Sequence, residues 1–225
     1  MNFKLIFAFL LPFFLFSQNE SINKKEKRLP NDVQWVTKSK EYESICNQTY
    51  RMAATVLDRE IKKTDSPVII MDVDETVLDN SQYQIELFLS QKKYNTKSWN
   101  KWVNRELAEL VPGAKKFILK YKQHPNSRII YLSNRSEETL QATKNNMKKL
   151  GIYFQNDIFL LRKDKSDTKV IRRNEVFSGT GRMKQYGPLN ILAYFGDAIG
   201  DFPSDTTYEF AKNKFIFPNP MYGKW

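Results

Sequence analysis

The stretch Pro67-Val68-Ile69-Ile70-Met71-Asp72-Val73-Asp74-Glu75-Thr76 constrains this chain more than any other. A short β-branched run opens directly onto two aspartates spaced i, i+2. In a strand their side chains share one face. Where the strand ends and the chain bends, both carboxylates can converge on one cation or one phosphoryl group. On its own the stretch also fits an exposed acidic turn after a strand, and the rest of the chain decides between the two.

The surrounding sequence supplies the other elements. Val33 to Lys63 has apolar residues at helical spacing and predicts one long helix, which Ser66-Pro67 ends. Leu78 to Val111 is aromatic-rich, helical and without a strand signal. Pro112-Gly113-Ala114 opens a helix to about Lys122, with Pro112 suited to its first turn. Arg128 to Leu132 is a second strand, ending at Ser133-Asn134-Arg135. Ser136-Glu137-Glu138 then caps a helix to Leu150, stopped by Gly151. Ile158 to Leu161 is a third strand, followed by a basic segment from Arg162 to Arg173 and a loop over Ser178 to Pro188. Ile191 to Phe195 is a fourth strand, ending at Gly196-Asp197-Ala198-Ile199-Gly200-Asp201-Phe202. A helix over Thr206 to Lys212 and a strand over Phe215 to Phe217 complete the core.

Strands that alternate with helices predict an α/β fold with a parallel sheet and right-handed crossovers. Ligands of such sheets sit beyond the carboxyl ends of the strands. Asp72, Asp74, Ser133, Asp197 and Asp201 all fall there. Several carboxylates facing one crevice repel each other unless a cation joins them. An all-oxygen set suits Mg²⁺. The single histidine, His124, lies in a helix-to-strand connection before Pro125, which argues against a histidine-based zinc or phosphatase site. For phosphoryl transfer, Asp72 can attack phosphorus and Asp74 can protonate the leaving oxygen. One lysine can neutralise charge, and Ser133 with nearby backbone N–H groups can bind the phosphoryl oxygens.

The chain ends and the charge bound the remaining possibilities. Lys4 followed by an apolar run from Leu5 to Phe16 reads as a signal peptide over residues 1–17, with Gln18 as the mature start. Residues 18–32 read as a flexible leader, and 33–225 as the folded domain. No cysteine follows the apolar run to take a lipid, so membrane association stays open without an anchor. Cys46 is the one thiol, so no intramolecular disulfide forms. The formal net charge of +11 fits anionic partners. The basic residues are scattered, with Lys24-Lys25-Glu26-Lys27-Arg28 the one patch, so a small anionic substrate fits better than polymeric nucleic acid. Oligomeric state is not read from the sequence.

Asp72-Val73-Asp74-Glu75-Thr76, Ser133-Asn134-Arg135, a lysine and Gly196-Asp197 with Asp201-Phe202 together resemble the haloacid dehalogenase (HAD) superfamily of aspartate-nucleophile phosphatases. The closer resemblance is to its class C acid phosphatases, which include lipoprotein 5′-nucleotidases. It extends to Trp35, Ser39, Glu41-Tyr42, Gln48 and Tyr50. It also covers Leu78-Asp79-Asn80-Ser81, Tyr83, Trp99, Trp102, Pro112-Gly113-Ala114 and the tail Pro218-Asn219-Pro220-Met221-Tyr222-Gly223 with Trp225.

The resemblance implies a HAD-like Rossmannoid core with a helical cap drawn mainly from 33–63 and 78–111. It implies an exported, Mg²⁺-dependent phosphomonoesterase acting through an aspartyl-phosphate. In that scheme Asp72 is nucleophile and metal ligand, and Asp74 is the acid/base, binding metal through its backbone carbonyl. Asp197 is a further ligand and Asp201 supports it in or near the coordination sphere. Ser133 binds the phosphoryl group, with Asn134 and Arg135 beside it on the substrate. The family's Lys-x-x-Arg pattern picks Lys169 over Lys165. Trp99 and Tyr222 are expected to flank a flat leaving group, while Trp102 packs the cap. Three features depart from the family: the missing lipid-attachment cysteine, the long stretch from Lys169 to Asp197, and Ala198 in place of the usual asparagine. A non-catalytic binding protein on this fold, or a phosphotransferase using the same intermediate, are the alternatives.

Overall fold

The computed structural model describes residues 28–223, so the expected signal peptide, most of the leader and Trp225 lie outside the described residues. Helix α1 (Asn31–Lys38) begins inside the stretch expected to be leader. Ser39 interrupts the helix predicted over 33–63. Its backbone is extended, and its Oγ accepts from Tyr42 N at 3.0 Å, capping a second helix, α2 (Lys40–Lys62). Strand β1 (Val68–Met71) follows. Then come β2 (Leu78–Asp79), α3 (Ser81–Leu89), α4 (Thr96–Val103) and β3 (Glu109–Leu110). The short antiparallel pair β2–β3 is a correction to the strand-free reading of 78–111. Two residues per strand are too few to leave a period-2 pattern.

Helix α5 (Ala114–Tyr121) starts after Gly113, whose φ of 88° is a left-handed turn, so Pro112 lies before the helix and not in its first turn. β4 (Arg128–Ser136) runs four residues beyond Leu132. A single 3₁₀ turn over Glu137–Thr139 precedes α6 (Leu140–Leu150), and Ser136 makes no side-chain cap. β5 (Ile158–Arg162), α7 (Lys169–Ser178), β6 (Ile191–Gly196) and β7 (Lys214–Ile216) complete the order. The basic segment thus hides the start of α7. The helix expected over 206–212 does not form. Asp205 Oδ1 accepts from Thr207 N at 2.9 Å, Asn213 Oδ1 accepts from Glu209 N at 2.6 Å, and Ala211 has φ 66°. Local side-chain bonds to the backbone compete with the helix and win.

The five strands form one parallel sheet in the order β5-β4-β1-β6-β7. β1 is central, and the chain leaves it to β4 on one side and returns to β6 on the other. The crevice between their carboxyl ends is the topological switch point where such sheets bind ligands.

Alternation along β1 divides the core. Ile69 and Met71 face α2, α5 and α6 with Ile129, Tyr131, Ala193 and Phe195. Val68 and Ile70 face α7 with Ile130, Leu132, Tyr194 and Val176. Tyr42, Cys46, Tyr50, Ala53, Leu57 and Ile61 bury one stripe of α2 in the first cluster. Each large side chain so buried contributes roughly 1.5–3 kcal/mol over leaving it exposed. Residues 40–62 therefore pack over the sheet. Helix α1 does reach α3. The cap segment is tied to α6, where Asn146 Nδ2 donates to Ala108 O at 3.0 Å and Lys149 pairs with Glu106 at 2.7 Å. Among the described residues no helix is long and apolar enough to cross a membrane.

Candidate active site

β1 ends with Asp72 N donating to Phe195 O at 2.9 Å, the last ladder bond before the chain turns. Val77 N and Leu78 N both donate to Val73 O, and Glu75 N donates to Leu78 O with Glu75 at φ 53°. A left-handed non-glycine residue is uncommon and marks a turn held by its surroundings. This loop returns Asp74 toward the crevice. Asp72 is buried, and Asp74 is half-buried.

Two groups of side chains meet there. In the first, Lys169 Nζ lies 2.7 Å from Asp72 Oδ1 and 2.5 Å from Asp201 Oδ1. Lys169 stands at the start of α7, which Thr168 caps by accepting from Ile171 N. Lys165 is exposed. Asp201 Oδ2 accepts from Asp197 N at 3.1 Å and Ala198 N at 3.0 Å. Gly196 permits this fold-back, since a Cβ there would lie 2.4 Å from the Asp201 Cβ. Asp197 Oδ2 accepts from Asn219 Nδ2 at 2.8 Å, which brings the C-terminal tail to the site.

In the second group, Ser133 and Arg135 point the same way from the end of β4. Ser133 Oγ lies 3.4 Å from Asp74 Oδ2 and accepts from Arg135 N at 3.1 Å. The Arg135 guanidinium donates to Asp74 Oδ1 through Nε at 2.9 Å and pairs with it through Nη2 at 2.8 Å, while Nη1 donates to Thr143 at 3.0 Å. Arg135 is 1% exposed, and its donors serve Asp74 and α6. Asn134 is exposed, with Oδ1 held by Arg172 Nη2 at 2.7 Å.

Arg172 is a residue whose role the sequence did not announce. Fully buried, it donates to Ser133 O at 2.5 Å and Leu160 O at 2.9 Å, tying the Ser133 end of β4 to the helix that carries Lys169. Asn80 and Asn219 were visible within motifs but carried no assigned chemistry.

Burial drives the electrostatics. It pushes the Asp72 carboxyl well above its usual range; the Lys169 ammonium opposes that, and Asp201, Asp197 and Asp74 add to it. Burial, with Asp201 beside it, pushes Asp197 up to about 6, while the Asn219 hydrogen bond opposes. Burial alone would depress the Lys169 ammonium, but Asp72 and Asp201 outweigh it and hold it above the usual lysine range.

Asp72, Asp197 and Asp201 each place a carboxylate oxygen within 4.8 Å of the others. Asp72 Oδ1 is buried against the Lys169 ammonium. A hard cation fits this donor set, since it would complete the coordination of that oxygen and relieve the mutual repulsion. Both oxygens of Asp201 are already engaged, by Lys169 and by backbone N–H groups. Asp201 thus supports the site, and Asp72 and Asp197 are the side chains that would hold the ion. Asp74 has no carboxylate oxygen in this cluster.

Trp99 is buried at 8% exposure, edge-on to Tyr83 and with Arg135 Cζ 5.8 Å from its ring centroid. Trp102 packs the cap as expected, and its indole N–H also donates to Asn80 Oδ1 at 2.9 Å. Tyr222 is half-buried in the tail that Asn219 holds.

Known proteins resemble this chain over most of its length. Two crystal structures of the class C acid phosphatase from Bacillus anthracis, one with tungstate bound, superpose with a TM-score of 0.71 at 29% identity. The match covers 85% of this chain and 84% of that one. Two stem glycoproteins of Glycine max are more distant. The 28 kDa protein is 24% identical over 176 residues, 78% of this chain and 67% of its own length. The 31 kDa protein is 26% identical over 167 residues, 73% of this chain and 62% of its own length. The model for HAD superfamily subfamily IIIB (acid phosphatase) matches residues 17–225. With nearly the whole chain inside that match, the protein belongs to the acid phosphatases of subfamily IIIB of the HAD superfamily.

Proposed function

We propose that this phosphomonoesterase works through an aspartyl-phosphate on Asp72, requires Mg²⁺, acts outside the cytoplasm and prefers nucleoside monophosphates. The observation that carries the mechanism is the convergence of Asp72, Asp74, Ser133, Lys169 and Asp197 at the carboxyl ends of β1, β4 and β6, with Lys169 Nζ 2.7 Å from Asp72. Asp72 attacks phosphorus while Lys169 neutralises phosphoryl charge. Ser133 Oγ orients a phosphoryl oxygen. Asp74 protonates the leaving oxygen and then deprotonates the water that opens the intermediate. Mg²⁺, held by Asp72, Asp197 and the Asp74 carbonyl, would polarise the phosphoryl group and lower the repulsion among the carboxylates. The tungstate bound by the Bacillus anthracis enzyme, a tetrahedral oxyanion, supports a phosphoryl site on this fold.

The finer claims rest on further residues. Lys4 and the apolar run to Phe16 support export. Trp99 beside Arg135, and Tyr222 in the tail tied to Asp197, support an aromatic clamp on a flat leaving group. Stacking on such a clamp is worth ~1–3 kcal/mol per base. A panel of phosphomonoesters, followed by phosphate release with chelator and with added Mg²⁺, tests the reading. Nucleoside monophosphates should turn over best, chelation should stop turnover, and Mg²⁺ should restore it. Trp99→Ala and Tyr222→Ala should raise KM for nucleotides and leave small aliphatic esters nearly unchanged. Full activity in excess chelator would overturn the metal assignment, and no preference for nucleotides would overturn the clamp.

A further inference from the structure

The two oxygens of Asp74 are treated differently. Oδ1 accepts from Asn80 Nδ2 at 2.9 Å and from Arg135 Nε at 2.9 Å, with Arg135 Nη2 at 2.8 Å. Oδ2 accepts from Ser133 Oγ at 3.4 Å, on the side of the phosphoryl group in the mechanism proposed above. Two N–H donors on Oδ1, with the rest of the guanidinium charge beside it, favour negative charge there and crowd out a proton.

The Asn80 amide is in turn oriented by its own partners. Its Oδ1 accepts from Trp102 Nε1 at 2.9 Å and from Arg135 Nη2 at 3.3 Å. Indole and guanidinium N–H groups only donate, so an amide placed between them and a carboxylate has one satisfactory orientation. Asn80 Nδ2 must face Asp74. The Asn80 backbone is fixed as well, since its N–H donates to Glu75 Oε1 at 2.8 Å. Asn80 is 0% exposed and Trp102 is 2% exposed, so water does not substitute for either bond. Trp102 belongs to α4, and Arg105 lies over its ring at 4.9 Å.

We propose that Asn80, oriented by the indole N–H of Trp102, is a positioning residue that holds Asp74 Oδ1 and makes Oδ2 the oxygen that transfers the proton. The inference rests on the acid/base role given to Asp74 above. In the first step an Asp72 oxygen forms the bond to phosphorus and the ester P–O bond breaks. The leaving oxygen keeps that electron pair and takes the proton from Asp74 Oδ2. In the second step water attacks phosphorus and gives its proton to Oδ2 while the bond from phosphorus to the Asp72 oxygen breaks, which releases phosphate and returns the Asp72 carboxylate. The cap thereby does more than cover the crevice, because through Trp102 and Asn80 it selects the working oxygen.

A leaving-group comparison separates this role from a merely structural one. p-Nitrophenoxide leaves without help from an acid, whereas an alkoxide needs the proton. The quantity measured is kcat/KM, which covers the steps up to loss of the leaving group, for p-nitrophenyl phosphate and ethyl phosphate. Trp102→Phe keeps an aromatic ring and removes the N–H, and Asn80→Ala removes the amide. Each should lower kcat/KM for ethyl phosphate about 10-fold more than for p-nitrophenyl phosphate, part of the ~10²–10⁴-fold that a general acid supplies. Asp74→Asn should show the same discrimination, larger. Thermal melts identify a variant that fails to fold, in which case Trp102→Phe decides. Equal losses on both esters in Trp102→Phe and Asn80→Ala, with Asp74→Asn still discriminating, would overturn the positioning role and leave the acid role standing. No discrimination in Asp74→Asn itself would overturn the acid role on which the inference rests.

Discussion

Asp72 and Asp74 stand two residues apart on one turn, yet their surroundings are opposite in kind. Asp72 lies in a dense group of charges: Lys169 at 2.7 Å, with Asp197 and Asp201 within a few ångströms. Burial with neighbouring carboxylates raises its proton affinity, and Lys169 opposes that. Asp74 is held on one oxygen by a neutral amide and a buried guanidinium that reach it from the cap and from β4. The first arrangement leaves a carboxylate unsatisfied until a cation and a phosphoryl group arrive. The second fixes a carboxylate in place before any substrate is present. Placing two carboxylates in different environments is how one fold assigns them different tasks.

The largest break in that comparison comes from Lys169→Met. The substitution leaves Asp72 and Asp201 buried beside Asp197 without their paired ammonium. Removing one partner of a buried ion pair costs on the order of 3–5 kcal/mol. Thermal unfolding in the absence of metal should show a loss of that order, with phosphate release near background. Mg²⁺ should recover part of the stability and none of the phosphoryl-charge neutralisation. An active Lys169→Met protein would show that Lys169 does not face the substrate.

Asp197→Asn should act in two directions. The folded-state Asp197 carboxyl is pushed up to about 6 from a usual 3.8, chiefly by burial. A carboxyl with a raised folded-state value takes up its proton more readily in the folded protein. Its contribution therefore favours folding below about 3.8 and is lost as pH rises through about 6. Metal-free protein should melt at a lower temperature at pH 7 than at pH 5, and Asp197→Asn should flatten that slope. The same variant should need far more Mg²⁺ for turnover. A steeper slope in the variant would place the strain elsewhere in the cluster.

The two sides of the site also differ in how openly the sequence displays them. Val68 to Met71 ending on Asp72 and Asp74 is plain because strand pattern and charge coincide at one point. The ends of β4 and β6 are equally plain at Ser133 and Asp197. Helix α7 is hidden because its inward residues are charged, with Lys169, Arg172 and Arg173 all buried, so a basic stretch reads as solvated. The break at Ser39 is hidden because serine is tolerated within a helical pattern, and its capping bond shows only in three dimensions. Asn80 and Asn219 lie in recognisable motifs, but an amide has no charge to advertise a partner, and both partners are distant in sequence. The aspartates come from strand ends, where pattern reading is strongest. Their supports come from the cap, the tail and a buried helix face, where it is weakest.

The smallest effect should come from Asn219→Ala, and it tests whether the Asp72 side is supported independently of the Asp74 side. Asn219 Nδ2 donates to Asp197 Oδ2 at 2.8 Å, and Asn219 Oδ1 accepts from Met221 N at 3.1 Å. The side chain thus orients a carboxylate of the proposed metal site and ties down the tail that carries Tyr222. Loss of such an outer partner typically costs roughly 10–100-fold in metal affinity. Asn219→Ala should raise the Mg²⁺ concentration needed for half-maximal turnover by about the lower figure of that range. It should also raise KM for nucleoside monophosphates, because Tyr222 loses its tether. The preference between p-nitrophenyl phosphate and ethyl phosphate should stay that of the parent, because Asn219 touches nothing in the Asn80–Arg135–Asp74 group. A changed leaving-group preference would mean that the two sides communicate through the tail, and the separation drawn between Asp72 and Asp74 would fail.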